Sequence, residues 1–150
     1  MKFVLTKELG RLSKWLRILG YDAVYAPEAN RPELIIESLR EERVILTRET
    51  KMSPVSGARI IKIRYDNVKE QLGQVLQEGG IGIDDTALFS RCVICNKKLE
   101  NIEKEKIKDK VPEYVYNTQT DFVICPQCKR VYWHGTHWGN VRKLIAEIKV

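Results

Sequence analysis

Two short cysteine pairs, Cys92-x2-Cys95 and Cys125-x2-Cys128, constrain this chain more than any other feature. Each CxxC turn presents two thiolates to one ion, and two such turns complete the tetrahedral shell of four soft ligands found in zinc ribbons. The 29 residues between Cys95 and Cys125 exceed the common spacing by roughly ten, a surplus that an inserted hairpin absorbs. A thioredoxin-like redox motif would be a single CxxC opening a helix after a strand. Two pairs in a basic, turn-rich stretch favour a structural Zn2+ held by Cys92, Cys95, Cys125 and Cys128. Zinc-finger peptides gain on the order of 10–16 kcal/mol from their metal. Residues 88–138 carry few large apolar side chains, so the module is expected to need its ion to fold. His134 and His137 are expected to stand outside the shell, because four thiolates already close it.

Ahead of the cysteines the pattern is different. Short β-rich runs, KFVLT (2–6), DAVYA (22–26), VILT (44–47) and ARIIKI (58–63), alternate with helical stretches. Leu9, Leu12, Leu16 and Leu19 recur at helical spacing before Gly20, with Lys7, Arg11, Lys14 and Arg17 on the opposite side. NRPELIIESLREE opens with Asn30, Pro32 and Glu33, a helix start. NVKEQLGQVLQEGG is a further helix ending at Gly79-Gly80. The 44–47 and 58–63 runs show almost no polar alternation, which suits a parallel sheet covered on both faces. The expectation is an α/β fold of βαβ units in a three-layer sandwich over residues 1–87. Residues 88–150 follow as a zinc ribbon with a terminal helix, WGNVRKLIAEIKV, and the lysine-heavy 97–110 stretch reads as an exposed hairpin or loop.

At 150 residues the chain suits one domain plus a small module. No apolar run reaches membrane-spanning length, and MKFVLTKELGR is too short for a signal-peptide core. The expectation is a cytoplasmic protein with reduced thiols and no membrane association. The net charge of +6 makes a polyanion a fitting partner. Through residue 88, 14 Lys/Arg face 13 Asp/Glu; from residue 89 onward, 12 face 7, so the excess lies in the cysteine-bearing half.

Two readings fit the residues after the last cysteine. Tyr132, Trp133 and Trp138 beside Lys129, Arg130 and Arg142 suit stacking on unpaired bases; equally, the tryptophans pack the ribbon against the α/β body. The Lys7, Arg11, Lys14 and Arg17 stripe is either a phosphate-binding face or only the wet side of an amphipathic helix. In an open parallel sheet, ligands bind beyond the carboxyl ends of the strands. Thr6, Glu8, Glu28, Thr47, Arg48, Glu49 and Asp66 fall there, and Glu33 opens the second helix. Glu33, Glu49 and Asp66 are of the type that holds a hard divalent cation; surface solvation is the plainer reading of each.

The strings FVLTKELGRLSKWLRILGYD, VILTRET, LFSRCVICNKKL and CPQCKRVYWHGTHW together resemble, over nearly the whole chain, the C-terminal RNase domain family named after the mutator-seven exonucleases. The resemblance implies a PIN-like three-layer α/β/α sandwich with a parallel sheet, fused to a zinc ribbon. It implies an endoribonuclease whose strand-end acids bind Mg2+ or Mn2+, which activates water and steadies phosphate charge. The acids at the matching positions are Glu33, Glu49 and Asp66, and RNA is the implied partner, with Lys7, Arg11, Lys14, Arg48, Lys129 and Arg130 as candidate contacts. The chain departs from the family pattern in three places. Thr6 stands where the first strand usually ends in Asp, LTRE replaces LTRD at Glu49, and the acidic run opening the second helix is reduced to Asn30-Arg31-Pro32-Glu33. Thr6 removes a full negative charge, Arg31 adds a positive one, and metal catalysis is sensitive to displacements of about 1 Å. A weakened metal site is therefore expected, with a non-catalytic RNA-binding module or a protein-interaction adaptor as the alternatives.

Overall fold

Every residue of Arg43–Thr47 (β3) is buried, as a strand covered on both faces must be. The structure is a computed structural model that describes residues 1–53, 55, 57–133 and 137–148, of which 137–139 by backbone alone. Strand β3 runs parallel to Lys2–Leu5 (β1); Asp22–Tyr25 (β2) pairs with the other edge of β1, and Ile60–Lys62 (β4) with the other edge of β3. The order is β2-β1-β3-β4.

Period-two alternation along the strands splits the core. Phe3, Leu5, Val44 and Leu46 face one side, where Leu12 and Leu16 of Gly10–Ile18 (α1) and Leu72 and Val75 of Val68–Gly79 (α3) cover them. Val4 and Ile45 face the other, under Leu34 of Arg31–Glu41 (α2) and Met52. Strand β2 lies on one side of β1 and β3 on the other. Right-handed crossovers in opposite directions place α1 and α2 on opposite faces, and the three-layer α/β/α sandwich follows. Helix α2 starts at a capping box in which Asn30 and Glu33 satisfy each other's backbone N–H groups. Its Ile36 and Leu39 stay 59% and 47% exposed.

The ribbon is a separate antiparallel sheet, Glu100–Ile102 (β5), Phe122–Ile124 (β6) and Val131–Tyr132 (β7), in that order. The stretch expected as a hairpin or loop is more structured than that. Residues 97–110 contain β5 and a 3-10 turn at Lys104–Ile107, and a helix at Glu113–Thr118 (α4) follows them. Ile107 and Val115 bury with Phe122 into a small core that Val111 and Trp133 complete. Trp133 lies 6.4 Å from Phe122, ring to ring, so it packs inside the ribbon rather than against the α/β body. The side chains of His134, His137 and Trp138 lie outside the described residues. Helix His137–Ile148 (α5) sends Val141 and Ile145 into the main core, and Lys69 of α3 pairs with its Glu147 at 3.2 Å. No helix among the described residues is long and apolar enough to cross a membrane.

Candidate functional site

The four cysteines converge. Cys92 and Cys125 are fully buried, and the sulfurs of all four lie within 4.8 Å of one another. The Cys92 and Cys128 sulfurs stand 3.7 Å apart, matching the edge of about 3.8 Å that a tetrahedron with Zn–S bonds of about 2.3 Å requires. The two knuckles are built alike. Cys92 N–H donates to Lys97 O and Asn96 N–H to Cys92 O; Cys125 N–H donates to Arg130 O and Lys129 N–H to Cys125 O, all at 2.9–3.0 Å. Asn96 and Lys129 follow the second cysteine of their pairs with φ of 65° and 64°, the left-handed turn that bends each knuckle back on itself. The Cys95 and Cys128 amides point at the Cys92 and Cys125 sulfurs, at 3.4 and 3.5 Å. Burial pushes the Cys92 thiol up, but hydrogen bonds from the Tyr132 hydroxyl and from the Cys95 and Ile94 amides outweigh it and bring it down to about 7. Burial and the neighbouring cysteines push the Cys95 thiol up to about 12, so it is the donor set and the spacing that fit zinc.

The first knuckle is clasped to the α/β body. Arg17, on the stripe expected to face water, is buried instead. It donates to Ala23 O at 2.9 Å, Val93 O at 2.7 Å and Ile94 O at 3.3 Å, joining the end of α1 to the cysteine turn. Asn96 accepts from Ala23 N–H at 3.0 Å and donates to Asp22 at 2.7 Å. Asp22 also takes a 2.7 Å bond from Arg43. Arg91 donates to Gly20 O and Asn96 O, at 3.1 and 2.8 Å. Gly20 has φ of +94°, and a Cβ there would stand 2.5 Å from Ala87 O, so glycine alone fits. The strings RILGYD and RCVICN are thus two halves of one joint. Arg11 and Lys14 remain exposed on α1 and Lys7 in the 3-10 turn before it, as do Lys129 and Arg130 beside the second knuckle.

The second candidate lies at the carboxyl ends of the strands. The sheet order reverses between β1 and β3, and such a switch point opens a crevice. Thr6 N–H bridges it to Leu46 O at 3.2 Å, and the Thr6 hydroxyl donates to Glu8 at 3.0 Å. Thr47 is buried and accepts from Glu49 N–H at 3.0 Å. The acids at this end are each committed to a different group. Glu33 accepts the Asn30 N–H at 3.3 Å as part of the helix cap, Glu49 is ion-paired with Arg31, and Asp66 with Arg48 at 2.7 Å. Asp66 is 95% exposed. Glu33, Glu49 and Asp66 share one end of the sheet without converging; among the described residues only the four cysteines form a metal-sized group. They do not fit Mg2+ or Mn2+ as placed.

No curated protein and no solved structure matches the chain. The family model described as the Mut7-C RNAse domain matches residues 1–145, a span that takes in both the strand-end crevice and the cysteine cluster. The chain belongs to the Mut7-C RNAse domain family.

Proposed function

We propose that this protein binds single-stranded RNA across the carboxyl ends of β1 and β3, and that Zn2+ on the four cysteines is structural. The observation that carries the reading is the pairing at the crevice: Arg31 on Glu49 and Arg48 on Asp66, beside a threonine at position 6. A guanidinium paired with an exposed carboxylate presents the same donors to a phosphate diester. An incoming RNA backbone would exchange with the exposed carboxylates and leave the arginines on its phosphates. Lys7, in the turn that directly follows β1, adds an exposed cation near this end, whereas Lys129 and Arg130 go with the knuckles, which are clasped to Asp22 and Ala23 at the amino end of β2.

Labelled single-stranded RNA and the zinc-loaded protein test this directly. Binding is expected to weaken steeply with salt, with a slope near −0.7 per neutralised phosphate. Arg48→Ala and Arg31→Ala are each expected to lower affinity about 10-fold or more, since hydrogen bonds to charged partners are worth roughly 1.5–3 kcal/mol. Affinity indifferent to salt and to both substitutions would overturn the reading. Family membership favours a second one, metal-dependent RNA cleavage by Glu33, Glu49 and Asp66. Mn2+-dependent cleavage abolished by Glu49→Gln would establish it in place of the first.

A further inference from the structure

Beyond β4 the chain runs Arg64-Tyr65-Asp66, so the Asp66–Arg48 pair adjoins an aromatic side chain that is 38% exposed. The Arg64 guanidinium lies over the Tyr65 ring, 5.6 Å from its centroid. This pair is held firmly. Buried Gln74 accepts from Arg64 N–H at 3.0 Å, buried Gln71 donates to Tyr65 O at 2.9 Å, and Glu78 pairs with Arg64 at 3.1 Å. Tyr65 forms one wall of a cleft of about 510 Å3 between α3 and segment 81–83, within the usual range of roughly 300–1,000 Å3 for small-ligand sites. The opposite wall is fixed too, because the Tyr21 hydroxyl donates to Gly82 O and Ile81 N–H to Leu76 O.

Two glycines line this cleft, and the fold does not require them there. Gly73 lies inside α3, where glycine is less stable than alanine, yet a Cβ at Gly73 or at Gly82 would meet nothing within 4 Å. Bare backbone facing open space lets a flat ligand lie close. Glu70 and Gln77 also line the cleft, and a carboxylate disfavours a phosphate inside it while suiting the hydrogen-bonding edge of a base. We propose that the cleft receives one unpaired nucleobase, stacked on Tyr65 over the backbone of Gly73, next to the phosphate that Arg48 takes. The inference rests on the RNA-binding reading above and adds the base to it.

Two 12-nucleotide RNAs of equal charge separate the two claims, one intact and one abasic throughout, each titrated against the zinc-loaded full chain. Tyr65→Ala is expected to weaken the intact RNA about 5- to 100-fold, the range that one base–aromatic stack supports, and Tyr65→Phe to stay within twofold. Gly73→Leu, which fills the cleft from a half-buried helix position where a Cβ meets nothing, is expected to weaken it comparably without lowering the melting temperature. Neither change should move the abasic strand, whereas Arg48→Ala should weaken both. If Tyr65→Ala and Gly73→Leu leave the intact RNA within twofold while Arg48→Ala weakens it, the base site is wrong and the phosphate reading stands. If the unaltered protein binds neither strand, both fall.

Discussion

Stripping zinc from the cysteine cluster with a chelator, or replacing Cys125 with serine, is expected to unfold the β5-β6-β7 ribbon and to lower the melting temperature of the α/β body with it. The ribbon's own core is three buried side chains, Ile107, Val115 and Phe122, too little apolar surface to stand alone. Small zinc modules draw on the order of 10 kcal/mol from their ion, so the expected effect is loss of the folded ribbon rather than a shift in it. The body is affected because Val93, Ile94 and Asn96 of the first knuckle hold Arg17, Ala23 and Asp22. Trypsin would report the change: the lysines between residues 104 and 110 should become cleaved within minutes in the metal-free protein and resist in the loaded one. Zinc binds thiolates, so loading weakens as pH falls. A metal-free protein with unchanged melting and unchanged proteolysis would contradict the clasp.

Arg17→Met is expected to destabilise the loaded protein by about 3–5 kcal/mol, since hydrogen bonds from a charged donor are worth roughly 1.5–3 kcal/mol each and the buried Ala23 carbonyl left unpaired adds to the loss. Methionine keeps much of the side-chain volume, so the comparison isolates the bonds to Ala23, Val93 and Ile94. Lys14→Met on the exposed side of the same helix should change stability by no more than about 0.5 kcal/mol. Urea unfolding of the two variants beside the unaltered protein measures both. Equal small effects would mean that Arg17 contributes only its aliphatic stem.

Arg17 also shows where the sequence stops being readable. Leu9, Leu12, Leu16 and Leu19 carry helical spacing, and all four are buried as that spacing requires. The same periodicity puts Arg17 on the wet side, because a helical wheel knows only solvent and one core. Beside Ala23 O, its partners are carbonyls of residues 93 and 94, and only the folded ribbon brings those two there. The capping box of α2 was legible from Asn30, Pro32 and Glu33, a local signal with a local cause. So was the cysteine cluster, since each knuckle is a short turn that sets its own geometry. The helix α4 was not, because its six residues bury only Val115, and Ile107 and Val111, which pack with it, lie outside the helix among lysines and acids.

The acids divide in the same way. Reading the strands placed Glu49 and Asp66 at the carboxyl end of the sheet, and the structure has them there. Their partners depend on side-chain directions that no spacing encodes. Arg31 enters at the first turn of α2 and Arg48 directly after β3, so each guanidinium is delivered to the crevice by the same element ends that deliver the acids. A sequence signal was present in the departures themselves, since Thr6 and Arg31 both shift the charge of that crevice in the positive direction.

Paramagnetic broadening by Mn2+ in the amide spectrum of the zinc-loaded protein probes the crevice most directly. With the carboxylates neutralised and Thr6 in place of an acid, substoichiometric Mn2+ should leave the amides of residues 6–8, 47–49 and 66 sharp, and single-stranded RNA should shift them instead. Selective broadening of those amides, abolished by Glu49→Gln and accompanied by RNA cleavage, would show that a divalent cation, and not a phosphate, belongs between β1 and β3.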